Sequence, residues 1–114
     1  MCNLKTLNKT SNGLLLFCPK NEMYQLSFNN LTFNLNSTEM SAFSNYLVRI
    51  DIEYWEHEYR NSIYEKKIPI PTLQSNFIIM LNRNDLQELR RLVDLSKEYN
   101  ILKSNEIDYK LFYN

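Results

Sequence analysis

Residues 30–47 read NLTFNLNSTEMSAFSNYL, and residues 76–93 read NFIIMLNRNDLQELRRLV. Each stretch begins as a strand-like run, passes through an asparagine, and continues with apolar residues at the spacing of an amphipathic helix. An offset of 46 positions aligns the two stretches and pairs Asn36 with Asn82. We therefore predict one domain over residues 1–114 that contains an internal repeat of strand and helix, at about 30–47 and 76–93.

The segment before the first repeat predicts β-hairpins. Apolar or alternating residues indicate strands over residues 4–9, 13–18 and 23–28, the second of them a buried central strand. Asn12-Gly13 between the first two is a turn pair able to take positive φ. Short connections favour antiparallel pairing, because parallel strands need long crossovers. The predicted fold class is α+β, a mainly antiparallel sheet with helices on one face and the two repeats related by a pseudo-twofold.

The helix boundaries follow from capping residues. Ser37 or Thr38 is the predicted N-cap of the first helix, and Asn84 that of the helix in the second repeat. The apolar stripe of the first helix changes direction near Asp51. Since Asp is a good N-cap, we predict that the helix breaks there and a second helix begins.

The later segments predict further extended structure. Two prolines limit residues 66–72 to an edge strand or a connector, whereas residues 76–81 have the apolar character of a central strand. The tail alternates over residues 107–113, which predicts a strand. Ile107 and Leu111 alone also fit a helix, so both conformations stay open there.

Composition limits the classes of function. Lys plus Arg equals Asp plus Glu, at 13 each, so the net charge gives no general attraction to nucleic acid or to an anionic membrane. The longest aliphatic or aromatic runs have five residues, whereas a membrane helix needs about 20. The N-terminal residues lack a basic region followed by an apolar run. We predict a cytoplasmic protein with neither a nucleic-acid nor a membrane partner.

The two cysteines, Cys2 and Cys18, are the candidate metal ligands. A structural zinc site needs four ligands, usually in close pairs, but Asn21 stands where a second cysteine of a Cys-x-x-Cys pair would be. Two small buried or half-buried thiols are therefore favoured over a metal site, and no cofactor is predicted. The alternative is a degenerate zinc-binding module that uses Cys2 and Cys18. A stable disulfide is not expected in the cytosol.

His57 is the sole histidine and the best candidate for a catalytic base. Glu53 lies four residues before it and could share its helix face. Phosphate-binding loops and dinucleotide motifs need several glycines, and this chain has one. We predict that His57 is exposed and outside any sizeable pocket, that no residue is catalytic, and that the protein is not an enzyme.

The densest aromatic cluster spans residues 54–64 and is interleaved with glutamates that repel phosphate. Large aromatic side chains are buried either in a protein's own core or against a partner protein. We therefore predict a protein-interaction or scaffold module that forms a homodimer. The residues expected at its interface are Trp55, Tyr59, Tyr109 and Tyr113.

Short motifs are spread along the chain: Met1-Cys2, Asn12-Gly13, Phe17-Cys18, YQLSFNN at 24–30, Tyr54-Trp55-Glu56 and IPIPTLQ at 68–74. In these motifs the chain resembles a family of small uncharacterised proteins from Bacteroidetes, classed as a domain of unknown function. The resemblance implies that some members keep a Cys-x-x-Cys or Cys-x-x-His where this chain has Cys18-Pro19-Lys20-Asn21. It implies a metal site that has degenerated here, and it supplies no catalytic residues.

Overall fold

The computed structural model describes residues 3–72 and 75–95. Within these ranges three α-helices accompany two antiparallel sheets, one of four strands and one of two, which confirms the predicted α+β class. The elements in chain order are β1 (Lys5–Lys9), β2 (Gly13–Cys18), β3 (Met23–Phe28), β4 (Leu31–Asn36), α1 (Ser37–Arg49), α2 (Ile52–Glu58), β5 (Ile68–Pro71), β6 (Ile78–Leu81) and α3 (Arg83–Leu92).

The four-stranded sheet has the order β1-β2-β3-β4, so each strand pairs with its neighbour in sequence. β2 lies between β1 and β3, as its apolar run predicts. Leu15 pairs with Leu26, and Leu26 pairs with Phe33, which places all three side chains on one face. Leu15 and Leu26 are fully buried and Phe33 packs against the core, so this is the face that the helices cover.

The helices close the core over that face. α1 packs against β3, β4 and α3, while α3 also packs against β2 and β6. The largest fully buried side chains are Leu15, Leu26, Leu47, Ile68, Leu86 and Leu92. Among the helices in the described part of the chain, none is long and apolar enough to cross a membrane.

The two-stranded sheet pairs β5 with β6, from Ile68 opposite Leu81 to Pro71 opposite Ile78. The prediction that residues 76–81 form a central strand is wrong, because β6 pairs with β5 alone among the described strands. β6 packs against α3 at one end only: Leu81 is buried, while Ile78 is 53% exposed. Because β4 and β6 lie in different sheets, the internal repeat and its pseudo-twofold stay a prediction.

Both strand-to-helix junctions nevertheless use the same cap. The Asn36 side chain accepts from the Glu39 backbone N–H (2.8 Å), and the Glu39 carboxylate accepts from the Asn36 N–H (2.9 Å). Asn82 and Asp85 repeat the arrangement at 2.7 and 3.1 Å. These reciprocal bonds satisfy two of the backbone donors that a helix start leaves unpaired.

The predicted N-caps are therefore wrong at both helices. Ser37 and Thr38 lie inside α1, and Asn84 lies inside α3. In each capping box the carboxylate three residues after the cap bonds back to the backbone of the cap residue, and Glu39 and Asp85 stand at that spacing from Asn36 and Asn82.

The predicted break near Asp51 is confirmed. α2 begins after Asp51, whose side chain accepts from the Tyr54 backbone N–H (3.1 Å). Arg90 of α3 fixes the end of α1, donating from Nε to the Leu47 carbonyl (2.8 Å) and from Nη2 to the Ile50 carbonyl (3.0 Å). A guanidinium at a helix C-terminus satisfies carbonyls that have no partner within the helix.

The first hairpin is tied to α3 by a buried carboxylate. Glu88 is only 8% exposed and accepts from the Thr10 hydroxyl (2.6 Å), the Asn12 backbone N–H (2.7 Å) and the Asn12 side-chain amide (2.9 Å). The hydrogen bonds from Thr10 and Asn12 hold the pKa of Glu88 below its usual value. Asn8 adds two bonds to carbonyls in the last turn of α3.

Gly13 is required by a close approach rather than by its φ. Asn12 and Gly13 form the turn but do not use the positive φ open to them: in the described chain the left-handed residues are Glu22 (φ 54°) and Asn29 (φ 55°). A Cβ on Gly13 would instead lie 2.5 Å from Leu92 Cδ2. The turn therefore lies directly on α3, where only a hydrogen fits.

Candidate protein-interaction surface

Four aromatic rings on α2 and the loop after it are in sequential contact. The ring centroids of Tyr54 and Trp55 lie 4.9 Å apart, those of Trp55 and Tyr59 5.7 Å, and those of Tyr59 and Tyr64 6.5 Å. The middle pair is stacked, while the outer two pairs meet edge to face, both of which are favourable ring geometries. We call these four residues the aromatic ladder.

The aromatic ladder is anchored in the core at its centre and open at its ends. Trp55 packs against the core cluster, as does Ile52 at the start of α2. Tyr54 is 52% exposed and Tyr64 is 54% exposed. No residue of α2 is buried, which is unusual for a helix of seven residues that cannot be stable by itself.

Two ion pairs hold this region against the first turn of α3. Glu56 accepts from Arg83 at 2.7 Å, and Lys66 lies 2.8 Å from Asp85. The hydrogen bond from Arg83 holds the pKa of the Glu56 carboxyl below its usual value. Because the cation of each pair is exposed and solvent screens its charge, the pairs position α2 and its loop more than they stabilise the fold.

The loop between α2 and β5 is closed by Lys67. Its ammonium donates to the backbone carbonyl and hydroxyl of Ser62 (3.3 and 3.2 Å) and to the carbonyl of Tyr64. Ile63, between those two contacts, is 95% exposed. The loop thus presents an isoleucine and a tyrosine to solvent from a backbone that Lys67 holds in place.

The electrostatic surroundings of the aromatic ladder are acidic. Residues 51–65 contain five carboxylates and one arginine, Arg60. Of the carboxylates, Glu53, Glu58 and Glu65 are exposed and belong to neither ion pair of the described chain. Nearby cations are already engaged, since Arg60 contacts the His57 ring and the other basic side chains make the bonds given above. The surface therefore combines apolar rings with excess negative charge.

His57 lies where the sequence predicts. It is exposed, its Nδ1 is 2.9 Å from Arg60 Nη1, and it does not line the cavity described below. The arrangement is that of a surface contact between the last turn of α2 and the turn that follows it. That the protein is not an enzyme stays a prediction.

The candidate zinc ligands are only partly described. Cys18 is buried and disulfide-bonded, which differs from the expectation of a thiol, and Cys2 lies outside the described residues. A sulfur in a disulfide is not a thiolate and does not ligate zinc. Over residues 3–72 and 75–95 no group of three or more His, Cys, Asp or Glu side chains could hold a metal ion. Zinc binding stays a hypothesis that requires reduced cysteines.

A cavity of about 300 Å³ lies elsewhere, between the start of α1 and the end of α3. Its lining residues are Tyr24, Ser37, Met40, Ser41, Ser44, Val93, Asp94 and Leu95. None of the aromatic ladder residues lines it. The cavity and the aromatic surface are thus separate features.

The expected interface residues divide between described and undescribed chain. Trp55 and Tyr59 form the stacked centre of the aromatic ladder, whereas Tyr109 and Tyr113 lie outside the described residues. The sequence reasoning missed Arg83, which positions α2 through Glu56. No spacing rule finds such a pair, because its members are 27 residues apart in sequence and meet only in the fold.

Comparison with known proteins identifies the family alone. No curated protein and no solved structure matches the chain. The predicted origin from Bacteroidetes stays a prediction. A family model described as "Family of unknown function (DUF6686)" matches residues 1–114 from end to end. The chain therefore belongs to the DUF6686 family, in agreement with the resemblance to a domain of unknown function.

Proposed function

We propose that this protein is a non-catalytic protein-interaction or scaffold module that acts in the cytoplasm as a homodimer. The observation that carries the proposal is the aromatic ladder, four rings in sequential contact on α2 and the loop after it, where α2 buries none of its residues. Aromatic residues that pack against the core on one side and are exposed to solvent on the other are typical of interface hot spots. The dimer interface is centred on Trp55 and Tyr59.

Truncating the two exposed rings tests the interface. We expect Tyr54→Ala with Tyr64→Ala to raise the dimer dissociation constant about tenfold or more, because the contact area of the exposed rings at both ends of the aromatic ladder is lost. Val48→Ala is the matched control, since Val48 is 67% exposed on α1, outside the aromatic ladder. Light scattering coupled to size-exclusion chromatography over a concentration series measures the effect. A monomeric wild type, or equal weakening by the control, contradicts the proposal.

The cytoplasmic part of the proposal has its own test. The disulfide at Cys18 argues against it, because disulfides persist in oxidising compartments and are rare in the cytosol. A protein that acts in the cytoplasm would have this bond reduced there by glutathione and thioredoxin. We expect alkylation in intact cells, followed by mass spectrometry, to find both of the chain's two cysteines as labelled thiols. Protection of both cysteines until a reductant is added would place the protein in an oxidising compartment.

A further inference from the structure

The two sheets of the described chain end in four edge strands, β1, β4, β5 and β6. Edge strands are commonly protected from further pairing by lysines, by an irregular register or by prolines. β1 has Lys5, Lys9 and a shifted register, β5 has Pro69 and Pro71, and β4 exposes a polar face. β6 has none of these features, since residues 68–81 contain no charged side chain and β6 is apolar throughout. Its edge is therefore the one most suited to accept a further strand.

The prolines of β5 determine which backbone groups β6 presents on its outer edge. Pro69 lies opposite Met80, and Pro71 lies opposite Ile78. Since proline has no N–H, these are the non-hydrogen-bonded pairs of the ladder, and β5 bonds to Ile79 between them. The N–H and C=O groups of Ile78 and Met80 therefore point away from β5. No other strand or loop of the described chain bonds to them.

The face of β6 that turns away from the core is also apolar. Ile79 packs against the core and Leu81 is buried, so Ile78 and Met80 lie on the opposite face. Ile78 is exposed there, beside the prolines of β5. A two-stranded hairpin is marginally stable by itself, and a third strand with large apolar side chains on this face would stabilise it.

The segment of this chain that fits the edge of β6 is the alternating tail, which lies outside the described residues. Ile107, Tyr109, Leu111 and Tyr113 occupy every second position. Side chains at this spacing share one face of a strand. Pairs of aromatic and β-branched side chains on neighbouring strands are favourable, so this face of the tail matches the outer face of β6.

The chain between α3 and the alternating tail is long enough to reach β6. Because β6 leads directly into α3, a helix of 10 residues, the two far ends of this unit lie within about 15 Å of helix plus about 13 Å of strand. Residues 96–106 span up to about 36 Å when extended. A chain that returns along α3 meets Leu81 first and Ile78 last, so it runs antiparallel to β6.

We propose that residues 107–113 add to the outer edge of β6 as an antiparallel strand, with Tyr109 opposite Met80 and Leu111 opposite Ile78. The two residues of each pair exchange N–H···O=C bonds, which uses the outward backbone groups of β6. The added strand lies outside the described residues, in which β6 pairs with β5 alone. The pairing occurs within one chain and is therefore independent of the proposed homodimer.

Amide hydrogen exchange, measured by NMR on the full-length protein, tests the pairing. The Ile78 and Met80 amides should exchange at least about tenfold more slowly in wild type than in Leu111→Pro, because the proline removes a bond to Ile78 and breaks a short ladder. Lys110→Pro is the matched control, since the Lys110 N–H points away from β6 and the protection should persist. The Ile79 amide bonds to β5, so its protection in all three proteins shows that the hairpin is folded.

The outcomes separate this inference from the proposed function. Fast exchange of Ile78 and Met80 in wild type overturns the pairing. Protection that Leu111→Pro retains, or that Lys110→Pro loses, overturns the assigned pairs. Protection that rises with protein concentration, or that is lost in Tyr54→Ala/Tyr64→Ala, means that a second copy covers the edge and also overturns the proposal. A monomeric wild type in which both amides are protected contradicts the homodimer and supports the added strand.

Discussion

Glu88→Ala should lower the free energy of unfolding by about 3 kcal/mol, because it removes a charged acceptor and leaves its buried donors unsatisfied. The lost bonds are those from the Thr10 hydroxyl and from the backbone and side chain of Asn12. Gln87→Ala is the matched control, since Gln87 is the exposed neighbour on the same helix. Urea denaturation followed by circular dichroism measures both. Similar stability of the two variants would show that the carboxylate does not secure the hairpin to α3.

The same carboxylate predicts a pH dependence with a definite sign. The hydrogen bonds from Thr10 and Asn12 lower the folded-state pKa of Glu88 below the unfolded value of about 4.3. Its contribution to stability is therefore full above that unfolded value and is lost as the pH falls through the lower folded-state value. The difference in unfolding free energy between wild type and Glu88→Gln should shrink in that acid range. A difference that stays constant between pH 7 and pH 2 contradicts the assignment.

Gly13→Ala should destabilise the protein by about 1–3 kcal/mol, the range for overpacking a tight core. The new Cβ would lie 2.5 Å from Leu92 Cδ2, 3.0 Å from Thr10 Oγ1 and 3.2 Å from Phe28 Cδ1. Leu92 is fully buried, so a shift of its side chain would disturb its packing against the core. The sign of this stability change is informative. Gly→Ala at an unstrained φ usually stabilises a protein by about 0.4–1 kcal/mol, because alanine lowers the conformational entropy of the unfolded chain.

A second substitution isolates the cause of that loss. Leu92→Val removes the Cδ2 atom that the new methyl group would meet. Gly13→Ala should therefore cost less in the Leu92→Val background than in wild type, a coupling that thermal or urea unfolding of the four proteins resolves. If the two stability changes simply add, the destabilisation by Gly13→Ala does not come from a contact with Leu92.

The parts of the fold that local sequence determines were predictable. The hairpins over residues 4–28 follow from alternation and short turns, and the break at Asp51 follows from a shift of the apolar stripe together with a capping residue. The caps were missed because three polar residues competed in each segment. The acid three residues after Asn36 and Asn82 was the signal that decides between them.

The parts that depend on contacts distant in sequence were not predictable. The division into two sheets depends on which strands meet, and the apolar run of 76–81 fits a central strand as well as an outer one. Glu88 lies four residues before the buried Leu92, so the two share one face of α3. A carboxylate on a buried helix face indicates a buried hydrogen bond, but its partners Asn12 and Thr10 are 76 and 78 residues away and cannot be found from local sequence. The density of aromatic residues within 54–64 indicated that their rings would be in contact. It did not indicate how much of each side chain is exposed.

Trp55 provides the most direct test of the central claim, which is that the aromatic ladder is the surface where copies of this protein meet. It is the only tryptophan in the chain and stacks on Tyr59 at the centre of the ladder, so its fluorescence reports this surface alone. Its emission should shift to shorter wavelength as the protein is concentrated through the dimer dissociation constant, because association removes water from the rings. The shift should follow the mass measured by light scattering and vanish in Tyr54→Ala/Tyr64→Ala. Dimerisation by mass with no change in Trp55 emission would place the interface elsewhere and contradict the account.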